Sequence, residues 1–115
     1  MQIQIKGKAQ PIHLKFRQVE ALLDEMGAET LEQADAVFKK INLKDIPRFI
    51  QIALHEDAKR KNDKAKAPDL DDVRDGIDDN PALVGEFLRA FSAAVTTMFG
   101  GVEADGPGKA AGAGN

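Results

Sequence analysis

The chain has 115 residues, of which 43% are hydrophobic and 30% charged, and these values predict one soluble globular domain. Its net charge of −3 argues against a general binder of polyanions, and the absence of cysteine excludes disulfides, thiolate metal sites and cysteine nucleophiles. The polar start and the lack of an apolar run of about 18 residues predict neither a signal peptide nor a membrane span.

The first 16 residues have the alternating pattern of a β-hairpin. Polar and apolar side chains alternate over residues 2–6 and again over 12–16, which is the period of half-buried strands. Residues 7–11 between them predict a connection of about five residues. The facing apolar side chains of this hairpin are Ile3, Ile5, Ile12, Leu14 and Phe16. A two-stranded hairpin alone is marginal in water, so we expect it to rest on helices.

Apolar residues at helical spacing predict two helices after the hairpin. The first ends at Gly27, and its buried positions are Val19, Leu22, Leu23 and Met26. The second begins with Thr30 and Gln33, which have the spacing of a capping box. Its apolar stripe consists of Ala34, Val37, Phe38 and Ile41.

Two further helices are separated by a basic segment, and the second of these helices is acidic. The third helix begins near Asp45 with Pro47 in its first turn, and it buries Ile46, Phe49, Ile50, Ala53 and Leu54. Residues 59–66 are rich in lysine and arginine, which is typical of an exposed connection. A short acidic helix over 70–78 follows, capped by Asp69 and buried through Leu70, Val73 and Ile77.

The final helix has the clearest pattern in the chain. Asn80 is its expected N-cap, Pro81 its first residue, and Gly100 and Gly101 its stop. Its apolar stripe runs through Leu83, Val84, Phe87, Leu88, Phe91, Ala94, Val95 and Met98. The sequence thus predicts an α+β, mainly α domain over residues 1–101, with an N-terminal hairpin and four or five helices. A flexible tail is expected at 102–115.

Few residues are suited to catalysis or to binding a metal or cofactor. The two histidines, His13 and His55, are predicted to lie on the surface, and the only serine, Ser92, stands in an apolar helical pattern. The aspartates of 69–79 do not fit a calcium-binding loop and are interpreted as a helix cap with a solvated acidic face. The sequence therefore predicts no enzyme, no metal and no cofactor.

The order of the elements resembles that of tail assembly chaperones of long-tailed bacteriophages and prophages. The resemblance covers residues 1–100 and is carried by the hairpin, by residues 12–17 (IHLKFR) leading into 19–25 (VEALLDE), by residues 70–77 (LDDVRDGI) and by the final Leu/Phe-rich helix. It implies a non-enzymatic factor of the host bacterial cytoplasm, absent from the mature virion. Such a factor solubilises the tape-measure protein and promotes assembly of the tail tube.

The resemblance also implies a contact surface and a second protein form. The expected contact residues are Leu83, Phe87, Phe91 and Val95, followed by Phe49 and Ile50. A ribosomal frameshift near Gly108 and Lys109 would produce a longer form that contacts the tail-tube protein. Independently of the resemblance, the broad apolar stripe of the final helix could also support self-association. Two alternatives remain open, a tail-completion or connector component of the virion and a small DNA-binding regulator acting through residues 59–66.

Overall fold

The computed structural model describes residues 1–30, 32, 33, 36, 40–60 and 67–100. The elements described along their whole length are the strands β1 (Gln2–Ile5) and β2 (Lys8–Pro11) and the helices α1 (Phe16–Glu25), α2 (Ile46–Arg60), α3 (Leu70–Asp79) and α4 (Leu83–Val95). Residues 32, 33 and 36 are also helical. A 3-10 turn, Leu43–Asp45, precedes α2, and a π-helical turn, Thr96–Gly100, follows α4. The predicted α+β, mainly α class is confirmed.

The hairpin is tighter than the sequence predicted. β1 pairs antiparallel with β2, with Ile5 opposite Lys8, so only Lys6 and Gly7 form the turn. Both have positive φ, 52° and 80°, as a two-residue turn of this kind requires. The prediction of a second strand at 12–16 was wrong because β2 is almost wholly exposed and has no apolar alternation to mark it.

The apolar alternation of residues 12–16 belongs instead to the connection that enters α1. Ile12 is buried and its N–H donates to the carbonyl of Met1 over 2.8 Å, so it extends the hairpin by one bond. Leu14 packs partly against the core, whereas Phe16 is the first residue of α1 and is 56% exposed. The alternation of apolar residues over 12–16 therefore covers an extended segment and the first residue of a helix, not a strand.

α1 and α2 form an antiparallel pair. Asp57, near the end of α2, contacts Gln18 at the start of α1, while Arg48, near the start of α2, lies 3.7 Å from Glu25 at the end of α1. The predicted stop at Gly27 is confirmed by its φ of 77°. The predicted buried face of α2 is confirmed in full, and Pro47 stands in its first turn.

The predicted capping box after α1 is also confirmed. The N–H of Gln33 donates to Thr30 Oγ1, and the N–H of Thr30 donates to Gln33 Oε1, both over 3.2 Å. Most of the apolar stripe predicted to follow, namely Ala34, Val37 and Phe38, lies outside the described residues. So do residues 61–66 of the basic segment and the predicted tail at 102–115.

β1 rests on α3 through an unusually close approach. Ile3 and Ile5 are buried, and α3 contributes Val73 and Gly76 to the same contact. A Cβ atom built on Gly76 would lie 2.5 Å from the backbone oxygen of Gln4 and 2.5 Å from Ile3 Cγ1. Only glycine therefore allows strand and helix to come this close. The predicted burial of Leu70 and Ile77 is partial, since both are half-buried.

α4 completes the core and packs on α1. It begins at Leu83, two residues later than predicted, after a turn in which the N–H of Leu83 donates to the carbonyl of Asn80. Asn80 makes no side-chain capping bond and serves as the C-terminal cap of α3. The prediction of Asn80 as a side-chain N-cap was therefore wrong, because the last turn of α3 already uses that residue.

Candidate functional site

The predicted contact residues lie almost entirely inside the domain. Leu83, Phe87, Phe91 and Ile50 are fully buried, Phe49 is nearly so, and Val95 is half-buried. Buried side chains cannot touch a partner of the folded domain, so the predicted contact surface needs correction. The strongest apolar stripe of α4 is buried in the core, because so small a domain has few other large side chains to bury.

Helical spacing explains why these α4 residues pack together. Leu83, Phe87 and Phe91 are four residues apart, so they lie one above another on a single face. The rings of Phe87 and Phe91 are tilted by 43°, with centroids 6.1 Å apart, a geometry in which aromatic pairs attract each other. This face joins the core formed by β1, α1, α2 and α3.

A second, weaker apolar stripe on α4 stays partly accessible. Val84, Leu88 and Val95 are half-buried and follow one line along the helix; we call them the outer stripe of α4. The neighbouring residues Ser92, Ala93, Thr96 and Thr97 are exposed and small. Of the six predicted contact residues, Val95 is therefore the one that the structure leaves on an accessible face.

α3 presents an acidic surface next to α4 in the chain. Asp71, Asp75, Asp78 and Asp79 are exposed, whereas Asp72 is partly buried with Lys6 Nζ 3.8 Å from its carboxylate. Asp69 caps the helix, because its carboxylate accepts the N–H of Asp72 over 2.8 Å. This bond confirms the interpretation of Asp69 as a cap. Among the described residues there is no group of three or more His, Asp or Glu side chains placed to hold a metal ion.

A polar cluster that the sequence did not indicate joins the start of α1 to the end of α2. The Asp57 carboxylate accepts a hydrogen bond from Gln18 Nε2 over 3.2 Å and lies 2.5 Å from His13 Nδ1. Gln18 is buried, and its Oε1 accepts the N–H of Lys15 over 3.1 Å. The only hint in the sequence is the capping-box position of Gln18, three residues after Lys15.

Both histidines are half-buried, as the predicted surface position allows, and each has a structural partner. His13 belongs to the cluster with Asp57, and His55 Nε2 lies 3.0 Å from the carbonyl oxygen of Pro68. The buried Gln51 donates to the same oxygen over 3.2 Å. This double contact holds the residue before the Asp69 cap against α2, which positions the start of α3.

The described residues bring no serine into a catalytic arrangement. Ser92 is exposed on α4, although it stands among apolar residues in the sequence. None of the hydrogen bonds found between described residues joins it to His13 or His55. Across the described part of the chain, no helix has both the length and the apolar character needed to cross a bilayer.

One cleft of 280 Å³ opens at the other end of the α1–α2 pair. It lies between the end of α1 and the start of α2, and its lining residues are Glu25, Met26, Lys40, Ile41, Asp45, Arg48 and Phe49. Met26, Ile41 and Phe49 pack against the core behind the cleft, but most of its accessible lining is polar. The four charged side chains surround it. The sequence analysis did not find this cleft, since its residues come from three separate segments.

No protein-family model, no curated protein and no solved structure matches the chain. A functional proposal therefore depends on the chain's own residues and on the order of its elements. The two accessible features that it can use are the outer stripe of α4 and the acidic surface of α3.

Proposed function

We propose that the chain is a tail assembly chaperone of a long-tailed bacteriophage or prophage, which binds and solubilises the tape-measure protein without catalysis. The observation that carries the proposal is the order of elements, with an N-terminal hairpin, a short acidic helix α3 and a final apolar helix α4. The resemblance on which the proposal rests has this same order over residues 1–100.

The contact surface of the proposal is the outer stripe of α4. A tape-measure protein is a long helical chain whose apolar side chains have no partner until the tail tube forms. Val84, Leu88 and Val95 offer a partly exposed apolar line on which such a helix could lie. Leu83, Phe87 and Phe91 support this stripe from within the core, as their full burial allows.

The acidic surface of α3 gives the complex its solubility. Exposed aspartates cluster on this helix, and the whole chain carries a net charge of −3. Many bound copies would give the apolar tape measure a negatively charged coat, which opposes aggregation. Because one half-buried stripe of three side chains binds weakly, tail-tube subunits could displace each copy without ATP.

The proposal includes a place and a second form. The short form acts in the host bacterial cytoplasm and is absent from the mature virion. A longer form, made by frameshifting near Gly108 and Lys109, brings the tail-tube protein to the tape measure. This part is tested on the gene, where a slippery heptamer and an overlapping reading frame are expected.

The test of the proposal is co-expression with the long coiled-coil-like reading frame expected downstream. The tape-measure candidate should become soluble and carry several copies of this chain through purification. A candidate that stays insoluble, with no copy of this chain bound, contradicts the chaperone function. Recovery of the chain in purified particles points to a virion component, and salt-sensitive binding to duplex DNA points to a regulator.

Variants of the outer stripe test the contact surface separately. The pair Leu88→Gln and Val95→Gln should lower the yield of soluble tape measure several-fold, because it adds polar groups to the proposed contact. Ala93→Gln is the matched control, since Ala93 is exposed on the same helix outside the stripe. Circular dichroism verifies that each variant is folded. Equal yields from the pair and the control would contradict the outer stripe as the contact.

A further inference from the structure

An unpaired cation lies on the solvent side of the outer stripe of α4. Helical spacing places Arg89, Gly85 and Ser92 within about 100° of Leu88 around the helix axis, on the side away from the core. Arg89 and Ser92 are exposed, and Gly85 is half-buried. None of the ion pairs found between described residues includes Arg89. A free positive charge therefore stands next to a partly accessible apolar line.

Gly85 gives the Arg89 side chain a defined position on the helix. A Cβ atom built on Gly85 would lie 3.3 Å from Arg89 Nη1 and 3.9 Å from both Arg89 Cζ and Arg89 Nη2. The guanidinium group thus folds back by one turn and lies over the glycine, where a larger side chain would take its space. The same turn carries Val84 and Leu88, so the charge stands beside the first half of the outer stripe.

We propose that Arg89 selects a partner helix that carries a carboxylate beside its apolar stripe. The selection rests on the function proposed above, because it uses the outer stripe as the contact surface. A helix whose apolar side chains lie on Val84 and Leu88 brings its own flanking residues over the solvent side of the stripe. An aspartate or glutamate at that flank meets the guanidinium, whose planar fork matches a carboxylate. Arg89 is then the residue of α4 that determines specificity.

Small residues around Arg89 allow a second helix to come close. Gly85 and Ser92 lie on either side of Arg89 along α4, and Thr96 follows one turn later on the same side. Bulky side chains at these positions would hold a partner away from the stripe. Close packing excludes water and lowers the local dielectric constant, which strengthens the attraction between the guanidinium and a carboxylate.

The surrounding charges favour a helix with a local carboxylate over a uniformly anionic partner. Asp78 and Asp79 are exposed just before α4, and Glu86 is exposed on the side of α4 that faces away from the outer stripe. These carboxylates repel a long row of negative charges, such as a nucleic acid or a wholly acidic helix. Arg89 accepts one or two acidic residues at a single place, which also sets the register of the contact.

Three synthetic helical peptides test the selection on the full chain. They share one leucine stripe in a neutral background and differ only at two neighbouring edge positions in the middle, which are glutamate, glutamine or lysine. Fluorescence anisotropy of the labelled peptides measures Kd. We expect the glutamate peptide to bind about tenfold more tightly than the lysine peptide, with the glutamine peptide between them. The difference should shrink at about 0.5 M salt, because salt screens exposed charges.

Charge reversal at Arg89 is the decisive variant. Arg89→Glu should reverse the order of the peptides, so that the lysine peptide binds most tightly. Arg17→Glu is the matched control, since it makes the same change of net charge at an exposed position of α1 and should keep the original order. Both residues are exposed, so both variants should keep the circular dichroism spectrum of the parent chain.

Three results would overturn the proposal. They are an absence of binding by every peptide, equal binding of all three, and an unchanged order of affinities in Arg89→Glu. Co-expression of Arg89→Glu with the tape-measure candidate separates this failure from that of the proposed function. If the parent chain and the variant solubilise the candidate equally well, selection by Arg89 is wrong and the chaperone function stands. If the candidate stays insoluble while the peptides are selected as expected, the function is wrong and the helix contact stands.

Discussion

α3 and α4 follow each other in the chain but are held to the domain by different forces. α3 carries six charged side chains in ten residues and buries only Val73 and Gly76. Its capping box holds its first turn, and close contact between Gly76 and β1 determines which face of the helix packs on the strand. α4 has no side-chain capping bond, and it buries Leu83, Phe87 and Phe91 completely.

The difference shows two ways in which a small domain holds a short helix. An acidic helix has little apolar area to bury, so it depends on its terminal hydrogen bonds and on close backbone packing. An apolar helix depends on the surface that it removes from water. Single substitutions should therefore damage the two helices by different mechanisms and by different amounts.

The largest effect is expected for Phe87→Ala on α4. Removing a fully buried ring should lower the free energy of unfolding by about 3–5 kcal/mol. A urea titration followed by circular dichroism measures this loss, since the chain has no tryptophan or tyrosine for fluorescence. Leu88→Ala is the control on the half-buried stripe and should lose clearly less. Equal losses of stability in the two variants would show that both faces of α4 contribute equally to the core.

An intermediate effect on the free energy of unfolding is expected when the glycine inside each helix is replaced by alanine. The sign should differ between Gly76 in α3 and Gly85 in α4. Gly76→Ala in α3 forces a Cβ to 2.5 Å from the Gln4 oxygen, so β1 must move. We expect a net loss of about 1–3 kcal/mol, although alanine is the better helix former. A loss near zero would show that the hairpin shifts freely on α3.

Gly85→Ala in α4 is the matched control for that substitution. The nearest atom to its new Cβ is Arg89 Nη1 at 3.3 Å, the far end of a flexible side chain that can move away. Here the helix propensity of alanine should raise the free energy of unfolding by about 0.5–1 kcal/mol. The same urea titration measures both variants, and a loss at Gly85 would show that the Arg89 side chain does not move away.

The smallest loss of stability among the three main substitutions is expected for Asp69→Ala at the start of α3. It removes the acceptor of the Asp72 N–H and should cost about 1 kcal/mol. Asp78→Ala, an exposed residue in the last turn of α3, is the control and should change stability by less than about 0.5 kcal/mol. If both variants lose the same amount, the loss reflects acidic charge and not the cap.

Much of the fold could be predicted because its helices carry local signals. Asp69, Gly27 and Pro47 mark helix ends by their own hydrogen bonding or backbone geometry. The second strand could not be found in this way. β2 is exposed along nearly its whole length, and its register is set by the Lys6–Gly7 turn and by the pairing with β1.

The candidate site was harder to predict than the fold. Apolar spacing identified Phe87 and Phe91 as one face of a helix, but the same spacing is typical of a core face and of a binding face. Only packing on the other elements distinguishes the two. The cluster of His13 and Asp57 spans 44 residues, and such a contact leaves no periodic signal in the chain.

The sequence by itself determined the element types, most helix ends and the set of large apolar side chains, because caps, turns and amphipathic periods act over a few residues. The tertiary structure decided which apolar stripe is buried and which stays accessible. It also brought Gly76 against β1 and assembled the cleft at the end of α1 from three segments. These outcomes depend on contacts between residues distant in the chain, where burial and steric exclusion, and not local propensity, determine the free energy.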